Sequence, residues 1–569
     1  MVVGLLFLVL VVALVVLAVR KANARAGRTA TSDVTTLRRV FQYLLLYGLL
    51  VIVAVGIAGL LGRLLETDVL VTGDESALAR DLTFALVGGP LFVAVALWSR
   101  RRLAEDAGEA RSFGWAAYVT AASLTSLLLA MTGLSRVLAW VTGLREYDGR
   151  GLAELLVWGG LWGAHWWIDT RTTPREHARV HHLGGSLVGL LTAAIGLGGL
   201  LSGALRVLLG LDGGAVVASG GRTMREGLVT LAVGAPVWFV YWLRTTARDE
   251  RTPLWLAYVL LVGVAGGLVT AIVAASTLLY QVLVWLVGDP GSATAVEHFD
   301  GAPTAAAATV VGLLAWWYHR TVLGAGAGGA RTEVRRVYEY LMAGTGLVAA
   351  SVGLVMVLAA LVGAAAGSAF TGGDAVNMLL AAVTLLAVGG PVWWLFWRRI
   401  QAASRDTTGE EITSPTRRVY LAILFGLGGL AAVVALILGV YLLLDDLVQG
   451  TVAAETLRRM RFPVGVLVTT AAVAAYHGAI HRSDREHMPE AVAAKGPRFV
   501  LLVGPADPEI ARAVARRTQG HVQAWSLVDD GRATWSADEV MAALEGTPAE
   551  EVVVLCDEDG PRAIPVRRT

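Results

Sequence analysis

Eight of the ten histidines, His165, His177, His181, His182, His319, His477, His481 and His487, fall at or near corresponding ends of apolar segments, so imidazole is the reactive side chain whose distribution needs explaining. Three of them close short apolar segments in aromatic surroundings: His165 in WGAHWW, His319 in AWWYHR and His477 in AAYHGAIHR. These recur 154 and 158 residues apart. Imidazoles on facing helices can hold haem or a metal, which makes His165, His319 and His477 the candidate cofactor ligands. The opposing reading is interfacial histidines with satisfied hydrogen bonds. No Glu-x-x-His pair occurs within a helix core, and His477 and His481 are merely neighbours on one helix. The balance is against a bound cofactor or metal.

Other reactive groups are sparse. The single cysteine, Cys556, excludes an intramolecular disulfide and a Cys-built zinc or iron–sulfur cage. GPADPE at 504–509 precedes a helix but lacks the G-x-x-x-x-G-K-[ST] string of a nucleotide loop. Asp557, Glu558 and Asp559 read as a solvated hairpin turn. No nucleophile stands beside a base and no acid pair is at readable spacing, so no enzyme is expected.

The elements carrying these residues follow from composition. With 56% hydrophobic and 16% charged residues and a mean hydropathy of +0.62, the chain reads as a polytopic membrane protein. About 20 apolar residues cross a bilayer as a helix. Thirteen segments qualify, near 2–19, 38–64, 81–99, 113–142, 152–168, 181–210, 227–243, 254–287, 304–322, 335–365, 375–397, 418–444 and 462–481. Alternate connections divide sharply in charge, with 29 Lys and Arg on one set and 11 on the other. The positive-inside rule places the richer set in the cytoplasm, with the N-terminus outside and the C-terminus in the cytoplasm. The net charge of +2 thus follows topology and does not point to nucleic acid.

The segments repeat. Pro90, Pro236 and Pro391 stand in VGGP, VGAP and VGGP, 146 and 155 residues apart; RRVF (38–41), ARVH (178–181) and RRVY (335–338) open long segments. WAAY (115–118), WLAY (255–258) and RRVY (417–420) open the next ones. The expected fold is an all-α polytopic membrane bundle of three tandem four-helix units, 33–172, 173–326 and 327–486. It follows an anchor and basic linker at 1–32 and precedes a linker with a small α/β domain at 487–569. RRVY, VGGPVWWLFWRR and EEITSPTRRVY resemble a bacterial membrane family catalogued only as a domain of unknown function. That resemblance implies four-helix units over about 450 residues and contributes no catalytic residues.

Trp98, Trp166, Trp242, Trp316, Trp317 and Trp397 sit at expected cytoplasmic helix ends, where an aromatic collar with snorkelling arginines meets the headgroups. Pro90, Pro236 and Pro391 are the expected helix kinks. Arg63, Arg136 and Arg206 lie about 25 residues into long helices, at the outer interface, where snorkelling suffices. Polar groups near the midplane are scarce, which argues against an ion or proton path.

After Pro497 the pattern becomes βαβαββ, with strands at 498–504, 521–528, 550–560 and 563–568, helices at 508–518 and 536–546, and Ser536 with Glu539 as a capping box. The expected function is a non-enzymatic scaffold or signalling protein of the bacterial inner membrane. Its partners would be membrane lipid and a cytosolic protein met through 498–569. The alternatives are a transporter of small apolar solutes or lipids and a haem or metal protein.

Overall fold

The computed structural model describes residues 30–66, 75–211, 219–324, 333–367, 373–405, 410–486 and, with breaks at 505–507, 519, 526–535, 546, 548 and 558–559, residues 497–566. The expected first segment, 2–19, lies outside the described residues. The chain forms two compact bodies, 1–398 with 432–469 and 399–431 with 470–569.

The first repeat comprises α1 (Ala30–Leu65), α2 (Glu75–Leu86) continued by α3 (Gly88–Glu105), α4 (Phe113–Val141) and α5 (Gly149–Thr172). The second comprises α6 (Arg175–Leu208), α7 (Ser219–Trp238) extended by a π-helical stretch Phe239–Thr246, α8 (Pro253–Ala257), a π-helical stretch Tyr258–Gly266 running into α9 (Gly267–Val287), and α10 (Ala302–Gly324). The third comprises α11 (Glu333–Ala365), α12 (Gly373–Ser404), α13 (Pro415–Gln449) and α14 (Ala454–Glu486).

Among the described residues, ten helical spans are long and apolar enough to cross a membrane. Of the thirteen expected segments, those in α5 and α10 are helical but fall short on apolarity. Charged residues such as Glu154 and Asp169 interrupt α5, and Trp, Tyr and His crowd the end of α10. Large apolar side chains face outward along the spans, including Ile195, Leu208, Leu286 and Ile437. In water such a surface would aggregate, whereas in hydrocarbon it is solvated.

Within each helical hairpin, glycine lets the backbones meet. Gly189, Gly196 and Gly203 recur every seventh residue on α6 and face α7. A Cβ at Gly196 would lie 2.2 Å from the Leu231 nitrogen, and one at Gly227 would lie 2.1 Å from that of Leu200. Lipid offers no hydrophobic drive for helix association, so close van der Waals contact supplies it.

Charges at the helix ends are paired. Glu109, almost fully buried, accepts from Arg38 Nη2 (3.1 Å), Arg39 Nε (2.7 Å) and the Tyr43 hydroxyl (3.1 Å). The expectation that Arg63, Arg136 and Arg206 reach for headgroups is corrected, because each finds a carboxylate on another element. Arg63 lies 3.9 Å from Asp81, Arg136 3.3 Å from Glu154, and Arg206 donates to Asp300 at 2.7 Å.

The C-terminal domain has strands β1 (Phe499–Val503), β2 (His521–Trp525), β3 (Glu551–Asp557) and β4 (Gly560–Pro565), with α15 (Pro508–Thr518) and α16 (Ala537–Glu545) between them. The sheet order is β2-β1-β3-β4, parallel except for the β3/β4 hairpin. Val500, Leu502, Val552 and Val554 point to one face and pack with Val514, Val540 and Leu544 of the helices. The Ser536 backbone N–H donates to Glu539 Oε2 at 2.8 Å and the Glu539 N–H donates to Ser536 Oγ at 3.3 Å, which closes the expected capping box.

Candidate functional site

Thr173 and Pro174 turn the chain tightly between α5 and α6, so the last turns of one helix meet the first turns of the next. Proline cannot continue the preceding helix and suits the start of a new one. This places Asp169 beside His181 and His182. The π-helical stretch after α7 brings in Tyr241. Its widened turn coincides with the Thr246 hydroxyl donating to the Tyr241 carbonyl at 2.7 Å, a side chain inserted into the backbone ladder.

The four side chains form one cluster. The Asp169 carboxylate is 2% exposed and the His181 side chain is fully buried. His181 Nδ1–H donates to Asp169 Oδ2 at 3.2 Å, because a carboxylate only accepts. His181 Nε2 then accepts the Tyr241 O–H at 2.9 Å, and Trp162 Nε1–H donates to the Tyr241 oxygen at 2.7 Å. His182 Nε2 lies 3.3 Å from the same Oδ2 but misses hydrogen-bond geometry. The other carboxylate oxygen, Asp169 Oδ1, is buried with no hydrogen-bond partner among the described residues. Trp166 walls the cluster, its ring centroid 5.4 Å from His182 and 4.9 Å from Tyr241.

The repeats supply an internal control. Where the second repeat has His181 and His182, the first has Phe41 and Gln42 and the third Tyr338 and Glu339. Five residues beyond the repeat proline, Tyr241 corresponds to Val95 and Phe396. Four beyond the repeat histidine, Asp169 of the first repeat corresponds to Leu323 and His481. The architecture is therefore built elsewhere in the same chain without this set of polar side chains.

His165, His319 and His477 are brought to equivalent places but not into this cluster. In each, Nδ1 lies 2.8 Å from the carbonyl four residues earlier, of Leu161, Ala315 and Val473. Each ring also meets a tyrosine of the neighbouring long helix, Tyr118, Tyr258 or Tyr420, with centroids 5.6, 5.9 and 6.0 Å apart. His165 Nε2 and the Tyr118 hydroxyl are 3.0 Å apart. A Cβ on Gly263 would strike the His319 ring at 2.1 Å, so glycine makes room for that imidazole. The expected cofactor ligands are thus packed on their own helices. Among the described residues, none of the three joins a group of His, Cys, Asp or Glu able to hold a metal, and only Asp169, His181 and His182 form such a group.

The expected collar divides. Trp98 and Trp317 are exposed and Trp166 and Trp316 partly so, but Trp242 and Trp397 are buried in protein. Trp242 Nε1–H donates to the Tyr318 hydroxyl at 2.9 Å and its ring stacks on Trp255, 5.9 Å between centroids, so the collar reading fails for these buried positions. Near Pro90 the helix breaks at Val87, where α2 gives way to α3, because proline has no N–H for the Leu86 carbonyl. Pro236 and Pro391 lie inside α7 and α12.

Sequence reasoning passed over Asp169 and Tyr241. The available signal was the repeat alignment itself, in which ARVHH replaces RRVFQ and RRVYE.

The apolar spans and the recurring hairpins define a multi-pass membrane protein built from tandem helical repeats. The chain belongs to the family described as domain of unknown function DUF5671, which matches it three times, at 39–160, 179–314 and 336–472. No curated protein and no solved structure matches it.

Proposed function

We propose that the protein is a non-enzymatic scaffold or signalling protein of a bacterial cytoplasmic membrane, with its N-terminus outside and its α/β domain in the cytoplasm as a protein-docking module. One observation carries this reading. The sheet completes its core on the face covered by α15 and α16, while Phe499, Leu501, Val503 and Val553 alternate onto the other face and Trp525 at the end of β2 remains 59% exposed. An exposed aromatic beside an apolar sheet face suits a partner's anchor. The membrane part would hold the module at the bilayer and contact lipid, and neither part engages nucleic acid.

The test compares full-length protein with a chain ending before residue 498. Crosslinking in cells should recover a cytosolic protein with the full chain and not with the shortened one, whose helices stay folded in detergent. Loss of membrane-domain stability without loss of a partner would make the domain a structural lid. Uptake of apolar solutes or lipids into vesicles holding only the helical part would favour a transporter.

A further inference from the structure

We propose that Asp169, His181 and His182 form a binding site for a divalent transition metal of the zinc type, with Tyr241 as a positioning residue. The inference is independent of the docking reading, because it concerns residues of the helical repeats alone.

Geometry carries it first. Two bonds of about 2.0–2.1 Å at a tetrahedral angle hold their ligand atoms about 3.3 Å apart. Asp169 Oδ2 lies 3.2 Å from His181 Nδ1 and 3.3 Å from His182 Nε2, and one ligand atom from each residue falls within 4.8 Å of the others. The carboxylate oxygen is therefore already spaced from both imidazole nitrogens as two ligands of one ion would be.

Unsatisfied polarity carries it second. Asp169 Oδ1 and His182 Nε2 are buried and, among the described residues, have no hydrogen bond to replace the water they would meet in solution. A cation on Asp169 Oδ2 takes the His182 nitrogen as a ligand and neutralises the buried carboxylate to which Oδ1 belongs.

The surroundings carry it third. When a metal takes His181 Nδ1, the ring proton moves to Nε2 and Tyr241 oxygen accepts it. Such an outer partner fixes the tautomer and orients the ring, as metal-bound histidines require. Trp162 Nε1–H in turn holds the tyrosine. The His182 side chain, 17% exposed, is the most accessible of the three ligands. The first and third repeats keep the same helices with Phe41 and Gln42, or Tyr338 and Glu339, at the places of His181 and His182, so neither repeats the full set of three ligands. Packing of the repeat therefore does not require two histidines beside a carboxylate.

Two imidazoles with one carboxylate select Zn²⁺, Co²⁺, Ni²⁺ or Cu²⁺ over Mg²⁺ and Ca²⁺, which prefer all-oxygen shells. Three protein ligands leave a coordination position for water or another donor.

The experiment uses full-length protein in detergent, purified with a histidine-free affinity tag, stripped with chelator and titrated with Co²⁺. The expected result is one ion per chain with the visible absorption of low-coordinate Co²⁺, displaced by Zn²⁺. His182→Gln, at the most exposed ligand, should weaken binding at least about tenfold, and Asp169→Asn likewise. Tyr241→Phe should weaken it about tenfold while leaving the absorption in place, the mark of a positioning role. His319→Gln should bind like the wild type. Absence of stoichiometric Co²⁺ or Zn²⁺ binding by the wild-type chain overturns the proposal, as does binding unchanged in His182→Gln. If Asp169→Asn fails to fold, His182→Gln and the wild-type titration decide.

Discussion

Arg417 clasps Asp484 with two hydrogen bonds, Nε to Oδ2 at 2.6 Å and Nη2 to Oδ1 at 3.0 Å, joining the start of α13 to the end of α14. The first repeat makes the same closure with other chemistry, Trp115 Nε1–H donating to Thr172 Oγ1 at 3.3 Å between α4 and α5. In both, the donor stands three residues before the repeat tyrosine and the acceptor seven after the repeat histidine. The first and third repeats thus share the closure with different residue types, whereas in the second the equivalent Trp255 Nε1–H donates to the Thr246 carbonyl at 3.0 Å.

Removing one side of the Arg417 pair should be costly. Arg417 is 2% exposed and Asp484 15%, so Arg417→Ala leaves a carboxylate with only partial access to water. Breaking a fully buried pair costs about 3–5 kcal/mol, and the residual hydration of Asp484 lowers that to about 2–3. Arg417→Lys, which keeps the charge but loses the fork, should fall between. Thermal unfolding in detergent, followed by loss of the monodisperse peak, reads the order of the three chains.

The glycine seam between α6 and α7 gives a paired test. Gly196→Leu puts a side chain where the nearest backbone nitrogen is 2.2 Å from the Cβ, so the helices must separate, at about 3 kcal/mol or more. Gly198→Ala, with nothing within 4 Å, should stabilise the helix by up to about 1 kcal/mol. Equal effects at both positions would mean that the seam does not hold the hairpin.

Topology is testable with reporters. A phosphatase fused after residue 569 should be inactive and a fluorescent protein there bright, whereas a phosphatase within 288–294 should be active. The reverse pattern would refute the orientation inferred from the Lys and Arg asymmetry.

In the C-terminal domain, Trp525→Ala should leave stability within about 0.5 kcal/mol, since the ring is 59% exposed, yet abolish partner recovery. Leu502→Ala, at a 1% exposed core position, should cost about 2–5 kcal/mol and unfold the domain. Retention of partner binding by Trp525→Ala would remove that face from the docking reading.

Much of the architecture was legible in the residues. Apolar runs of bilayer length located the described helices, the VGxP and RRVY strings showed the threefold recurrence, and the pattern after Pro497 yielded the order of strands and helices, with β4 beginning at Gly560 and not at 563. Each is a local property of period, length and turn chemistry, which needs no knowledge of neighbours.

Side-chain partnership lay beyond that reach. Arg206 and Asp300 are 94 residues apart in sequence, and Tyr241 is 60 from His181. Nothing in either local string announces the other. Trp242 and Trp98 look alike as aromatics near arginines, yet one is buried against Trp255 and the other exposed, because only the packing of α7 on its neighbours decides which side of a helix is interior. The same holds for the histidines. Sequence marked where imidazoles gather, and the tertiary structure separated three rings bonded to their own helices from two that share a carboxylate, since hydrogen bonding depends on positions in space that composition and spacing do not encode.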